Sequence, residues 1–467
     1  MKKSVLNITP LLLLIVTNLL GIILFFKIGE SSLETTLLFA GMSFLSVLVY
    51  VIINKCNMGD PYLFLIATML AAIGIIVVTS INPLLIAQGI LDPDVSELGM
   101  DNMKMYLIGV ALFFLTILVY RLFYRNLAKL APVYFAVLVV LYLLTLILGK
   151  EIRGVKNWIM IGGFSVQTSE FAKIMFVLTI AGILTFTRKK SGDVTAKKRY
   201  RSTFGTELAR RTHINRRVML ITSVVYINML FLAMQKEMGT MLVLFAVFVA
   251  YLFAYDKNKI FLLSNVAVCV AVILMAVFFL DSVPDFGIEK IESLVDTVDM
   301  RVSGWLEPYE IRDDGRGIKG YQVVKSMGNI YRGGFTGTGI ENAGTLGGVK
   351  AFDSLHCDFI FSAICNEMGL LGGIGVILMY FVLVYRGFKI AISTTNEFNK
   401  AVAFGISTML GVQTFVIVGG VTNLIPLTGI TLPFVSHGGS SMMSTFIMLG
   451  MLQAISSVKE DTTDEIK

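Results

Sequence analysis

The sequence predicts an all-α polytopic membrane protein with about twelve transmembrane helices, and three observations carry that expectation. The 467 residues are 55% hydrophobic and only 15% charged, with a mean hydropathy of +0.78, a composition that a water-soluble fold cannot solvate. Apolar runs near 20 residues recur along the chain, the length a helix needs to cross about 30 Å of hydrocarbon. Lys and Arg gather in alternate loops, the pattern that sets membrane orientation. The net charge of +7 is therefore topological and does not point to nucleic acid. Cys56, Cys269, Cys357 and Cys365 form no CxxC pair, so neither a disulfide framework nor a zinc site is implied.

Taken in order, the spans fall near 9–27, 36–54, 62–80, 105–122, 131–149, 169–187, 218–235, 239–254, 259–280, 357–385, 401–421 and 438–457. Lys2 and Lys3 before the first run resemble a secretion signal, but no small-residue cleavage site follows Phe25-Phe26-Lys27, so the first run is expected to stay as a span. The spans 218–235 and 239–254 leave room only for a tight turn at Lys236-Glu237. Basic residues fill the loops with Arg121, Arg125 and Lys129, then Lys257 and Lys259, then Arg386, Lys389 and Lys400, and above all the stretch 188–217. That side is expected to be cytoplasmic, with both termini. The 188–217 loop then lies against anionic lipid headgroups.

The opposite side receives Asp92, Asp94, Glu97 and Asp101, and the segment 281–356. Ile288, Ile291, Leu294, Val295 and Val298 sit at helical spacing with Glu289, Glu292 and Asp296 between them, which predicts an amphipathic helix on the outer surface. Beyond Trp305 the segment is rich in glycine, from Gly315 to Gly348, which permits close backbone approach to a ligand and equally suits a plain loop.

Three stretches carry candidate chemistry. His356-Cys357-Asp358-Phe359-Ile360-Phe361 places a carboxylate where a watery loop enters a span. It reads either as a functional acid or as a helix N-cap. Lys156 to Lys173 brings Trp158 as an interfacial anchor, Thr168 or Ser169 as a cap, Glu170 in the first turn and Lys173 one turn further in. Lys173 reads either as a snorkelling lysine or as a cation aimed at a polyanionic group. Pro426 to Ser441 holds two prolines and three glycines within a membrane-rich region, so its backbone is broken and lines a cavity or forms an outer turn.

Together these stretches resemble the SEDS family (shape, elongation, division and sporulation proteins, the FtsW, RodA and SpoVE group). The matching pieces are Gly162 to Lys173; Gln235-Lys236-Glu237-Met238-Gly239-Thr240; Gly320-Tyr321-Gln322 with Gly333-Gly334; His356 to Phe361 with Glu367-Met368-Gly369; and Thr428 to Ser441. They follow the family order over roughly residues 62–457. The resemblance implies a ten-helix core at 61–457, preceded by two additional N-terminal helices in 1–60 and followed by a cytoplasmic tail at 458–467. The chain departs from the family pattern at Cys357 (commonly Thr), Thr168 (Pro), Lys236-Glu237 (Pro-Asp), Asn366 (Glu) and His437 (Tyr).

The resemblance implies a peptidoglycan glycosyltransferase of the bacterial cytoplasmic membrane that polymerises lipid II on the outer face, with a class B penicillin-binding protein transpeptidase as partner. The family acid maps onto Asp358, the expected general base. Lys156, Lys173 and Arg301 are expected to stabilise the pyrophosphate leaving group, alone or with a divalent cation such as Mg. Glu170, Gln322, His356, Ser436, His437 and Ser440 complete the expected substrate contacts. Glu367 is not the partner of Asp358, since nine residues of helix separate them by roughly 13 Å. Two other functions stay open on the sequence: a flippase for lipid-linked precursors, and a weakly catalytic scaffold that recruits a transpeptidase.

Overall fold

The structure is a computed structural model that describes residues 8–27, 33–92, 97–124, 126–152, 155–162, 164–190, 216–256, 259–268, 289–312, 317–340 and 348–458. In chain order the helices are α1 (Ile8–Lys27), α2 (Leu33–Lys55), α3 (Pro61–Ala87), α4 (Leu98–Phe123), α5 (Ala131–Leu148), α6 (Thr168–Lys190), α7 (Arg216–Met234), α8 (Met238–Tyr255) and α9 (Lys259–Val268). They continue with α10 (Glu289–Leu306), α11 (Tyr321–Gly333), α12 (Ile360–Ser393), α13 (Glu397–Val421) and α14 (Gly439–Ser457). Among the described residues nine helices are long and apolar enough to cross a membrane, which makes this a multi-pass membrane protein. The second half of the span expected at 259–280, and most of the basic loop 188–217, lie outside the described residues.

The chain divides into two compact units. The first comprises Met1–Leu122, Ser303–Thr395 and Leu410–Lys467. Its most enclosed span is α3, 83% buried, which α1, α2, α12 and α14 contact. Asp60 caps α3 by accepting a hydrogen bond from the Tyr62 N–H at 3.0 Å, and Pro61 fits the first turn because no N–H is needed there. Phe25 of α1 stacks on Phe39 of α2, with ring centroids 4.6 Å apart.

The long helix α12 is broken at Gly369, whose φ of 69° and ψ of −174° suit glycine alone. A break inside a membrane span frees backbone donors and acceptors that lipid cannot satisfy. The segment after α11 satisfies them. The Thr338 and Gly339 N–H groups donate to the Asn366 and Glu367 carbonyls at 2.9 and 3.0 Å. The Leu370 and Leu371 N–H groups donate back to the Gly334 and Phe335 carbonyls at 2.9 and 3.3 Å. Among the described residues the glycine-rich segment is thus not a plain loop. It contains the 13-residue helix α11, and its next residues are threaded against the break.

The second unit comprises Phe123–Val302 and Asn396–Met409. Here α5 packs on α6, and Gly182 lets α6 close on Ala131, since a Cβ at Gly182 would lie 2.5 Å from that methyl. Between the two helices runs a small antiparallel sheet, β1 (Lys150–Ile152), β2 (Val155–Ile161) and β3 (Phe164–Gln167), in that order, with Trp158 opposite Gln167. The Tyr251 hydroxyl of α8 donates to the Ala401 carbonyl of α13 at 2.8 Å.

Candidate functional site

In the first unit Asp358 is half-buried on a turn, not at a helix cap. The helix α12 begins at Ile360 with Phe359 in the cap position, so Asp358 stands one residue outside it. The N-cap reading of Asp358 is therefore set aside. The turn starts at Ser354, which has a left-handed φ of 64°, and the Ser354 carbonyl accepts from the Cys357, Asp358 and Phe359 N–H groups at 3.1, 3.0 and 3.3 Å.

A second loop, between α13 and α14, lies on this turn. The His437 N–H donates to the His356 carbonyl at 3.0 Å, and the Ser436 hydroxyl donates to the Cys357 carbonyl at 2.6 Å. The imidazoles of His356 and His437 face each other with centroids 5.6 Å apart. Burial pushes the His437 imidazole below its ordinary value. Asp101 nearby, and a hydrogen bond to the Leu98 carbonyl at the start of α4, pull the other way. The loop itself is fixed from outside. Gln413 donates to the Thr431 carbonyl at 2.9 Å, the Thr431 hydroxyl donates to Ser441 at 2.7 Å, and the Tyr380 hydroxyl bonds the Pro433 carbonyl. Gly74 of α3 permits the close approach, because a Cβ there would meet the Val435 carbonyl oxygen at 2.2 Å.

Gln322 of α11 reaches the Asp353 carbonyl at 3.4 Å, a weak bond that touches the same turn. Ser440 is buried in the first turn of α14. Glu367 is buried two turns into α12 and bonds the Ser80 hydroxyl of α3, away from Asp358 as its spacing implies.

The second unit gathers another set of candidates. Lys173 is 2% exposed and pairs with Glu170, itself 3% exposed, at 2.8 Å. It does not snorkel: the ammonium stays inside, held by a carboxylate one turn back. Beside this pair, Glu237 at the turn before α8 accepts on one oxygen from Ser169 at 2.6 Å, Thr240 at 2.7 Å and Gln167 at 2.9 Å. Its other oxygen is buried without a hydrogen bond among the described residues. Burial, the largest influence, raises the Glu237 carboxyl above its ordinary value; Glu170 adds to this, while the Ser169 and Thr240 bonds and Lys173 oppose it. The Ser169 and Thr168 hydroxyls at the start of α6 cross-link to Glu237 and, at 2.5 Å, to Thr145.

Lys156 of β2 donates to the Leu146 carbonyl at 2.7 Å, and Arg301 is half-buried on α10. No group of three or more His, Cys, Asp or Glu side chains among the described residues has the geometry to hold a metal ion. The sequence reading missed the acceptor cluster around Glu237, although its adjacent Gln235 and Thr240 signalled a polar turn between two spans. It also missed Asn329 and Asn366. Asn366 donates to the Asn329 carbonyl at 2.9 Å, and the Asn329 side chain clasps Lys350 through both its N–H and its carbonyl.

Known proteins share this architecture. The family model for FtsW, RodA and SpoVE, described as cell cycle proteins, matches residues 60–461. Peptidoglycan glycosyltransferase RodA of Mycobacterium tuberculosis is 29% identical over 407 residues, covering 85% of this chain and 78% of its own. A probable peptidoglycan glycosyltransferase FtsW of Geobacter metallireducens is 30% identical over 317 residues, covering 68% of this chain and 73% of its own. In a solved structure concerning the coordination of polymerisation and crosslinking by a peptidoglycan synthase complex, one chain superposes with a TM-score of 0.62 at 24% identity. The match covers 85% of this chain and 97% of that one. Thermus thermophilus RodA superposes with a TM-score of 0.53 at 21% identity, over 85% and 96% of the two chains.

Proposed function

The chain belongs to the FtsW, RodA and SpoVE family of cell cycle proteins, and from that premise we propose that it is a peptidoglycan glycosyltransferase that polymerises lipid II at the outer face of the bacterial cytoplasmic membrane. The observation that carries the reading is a half-exposed Asp358 on a rigid turn at the mouth of a membrane helix, within a chain whose relatives bear that activity in their names. The turn precedes α12, and Arg386 and Lys389 stand near the other end of that helix, which supports an outward-facing turn if the basic end is cytoplasmic.

Chain growth requires an acceptor sugar hydroxyl to lose a proton as it attacks the donor anomeric carbon. Asp358 takes that proton as general base. The bond to the undecaprenyl pyrophosphate breaks and the pyrophosphate leaves as a stable anion, so cations replace a general acid. Lys156, Lys173 and Arg301 are the proposed source of that positive charge, and within its own unit Lys173 is bonded to Glu170. A divalent cation such as Mg, carried in by the pyrophosphate itself, would add to that positive charge. Gln322, His356, His437 and Ser440 frame the same turn and loop and are proposed to shape the sugar site. Since glycan strands need cross-linking, and the superposed chain belongs to a study of a synthase complex, a class B penicillin-binding protein is the proposed partner.

The test is a polymerisation assay with labelled lipid II on the purified full chain, alone and with a partner transpeptidase. Wild type is expected to yield glycan strands, and Asp358→Asn to lose about 10²-fold or more in rate while inserting normally. Full synthesis by Asp358→Asn would remove the base role, and absence of strands from wild type under both conditions would remove the activity.

A further inference from the structure

The backbone around Asp358 is held on both sides. The peptide plane between Cys357 and Asp358 has its N–H bonded to the Ser354 carbonyl at 3.0 Å and its C=O bonded by the Ser436 hydroxyl at 2.6 Å. The plane before it has its N–H on the same Ser354 carbonyl at 3.1 Å and its C=O on the His437 N–H at 3.0 Å. The plane after it has its N–H on the same Ser354 carbonyl at 3.3 Å. A planar peptide bonded at both ends cannot rotate without breaking one of them. Two such planes in a row hold the backbone that leads into Asp358, and the Phe359 N–H bond restrains the plane that leaves it. Of the two loop residues that grip these planes, Ser436 does so with its side chain and His437 with its backbone N–H.

Ser436 is also poorly placed to touch a substrate. It is 3% exposed, and a hydroxyl has one proton to give, which goes to the Cys357 carbonyl. It accepts in turn from the Leu432 N–H at 2.8 Å, which ties it to its own loop. Phe434, between these two, is held at a left-handed φ of 65°, so the loop carries a strained residue at the point where it grips the turn.

We propose that Ser436 is a positioning residue for Asp358: its hydroxyl clamps the peptide plane that leads into the base and sets the direction in which the carboxylate meets the acceptor hydroxyl. This rests on the polymerase reading above. A general base must be held within a fraction of an ångström, and a shift of about 1 Å costs on the order of a hundredfold in rate. Loss of the clamp therefore lowers turnover without changing the groups that bind lipid II.

The experiment compares wild type, Ser436→Ala and Ser436→Thr as full chains in detergent, with two readouts. One is steady-state polymerisation of lipid II. The other is hydrogen exchange of the peptide covering residues 354–360. Ser436→Ala is expected to lower kcat by about tenfold to a hundredfold with KM within about twofold, and to speed exchange of the 354–360 amides while α13 stays as in wild type. Ser436→Thr, which restores the hydroxyl, should return both readouts toward wild type. If Ser436→Ala does not survive extraction, Ser436→Cys keeps the volume with only a weak donor and carries the same expectations. A raised KM at unchanged kcat would make Ser436 a substrate contact and overturn the proposal. Unchanged exchange at 354–360 would overturn it as well, even if wild type made no glycan. In that last case it is the polymerase reading that fails, and the exchange readout still decides the clamp.

Discussion

Gly337 and Gly369 meet backbone to backbone. A Cβ on Gly369 would lie 2.3 Å from the Gly337 nitrogen, and a Cβ on Gly337 would lie 2.6 Å from the Gly369 nitrogen. Contacts under 3.0 Å cannot be kept when the atom is backbone, so both positions exclude a side chain. The contact lets a loop strand supply hydrogen bonds to a broken membrane helix, the same helix that presents Asp358 at its start.

Gly369→Ala should therefore be among the most damaging single methyl additions in the first unit. It forces a left-handed backbone on alanine, about 1–3 kcal/mol, and drives the 334–339 strand off the break, leaving amides in lipid. We expect a loss above about 3 kcal/mol, read as a large fall in the thermal midpoint of the detergent-solubilised protein. The comparison is Gly375→Ala on the same helix, where a Cβ meets nothing within 4 Å and little change is expected. Equal effects at the two positions would refute the close-contact argument.

Lys173 and Glu170 form a buried pair, and removing one partner strands the other's charge. Lys173→Met should cost about 3–5 kcal/mol, and the double change Lys173→Met with Glu170→Leu should recover most of it. Polymerisation by the double variant separates the two roles of the lysine. If the stable double variant remains inactive, the charge serves the reaction; if it polymerises like wild type, Lys173 is structural.

Glu237 predicts a pH dependence. Its carboxyl is raised above the ordinary value of 4.5, so the folded protein binds that proton more tightly than the unfolded chain does. The associated stability is fully present below pH 4.5 and is lost as pH rises through the higher folded value. Glu237→Gln cannot titrate, so the thermal-midpoint difference between wild type and Glu237→Gln should shift in favour of the variant as pH rises from 5 to 8. A difference that is flat, or that moves toward wild type, would contradict the raised carboxyl. Glu170 and Lys173 face the same pocket and must be kept intact in this comparison.

Several features were legible because they are local. Runs of about 20 apolar residues specify spans, and the tight turn between α7 and α8 shows as Gln235-Lys236-Glu237 between two such runs, with Lys236 at a left-handed φ of 59°. The helix α11 was not legible. Its buried face is Val323, Ser326, Asn329 and Gly333, which has helical spacing but almost no hydrophobic signal. The hairpin of 150–167 was missed for a related reason. Its strands are three to seven residues long and carry Lys150, Glu151 and Lys156 among apolar residues, so no alternating period stands out.

Composition and spacing by themselves determined that the chain crosses a membrane many times and that an acid stands where a polar loop enters a helix, while the family came from the resemblance of its ordered motifs. Free energy of transfer acts on each run independently, so these are readable one segment at a time. Tertiary structure alone decided that Lys173 is buried against Glu170, that Glu237 gathers three donors, and that Ser436 and His437, some eighty residues from Asp358, grip the turn carrying it. Those bonds join atoms far apart in the chain, and no period in the sequence encodes which carbonyl a distant hydroxyl will reach.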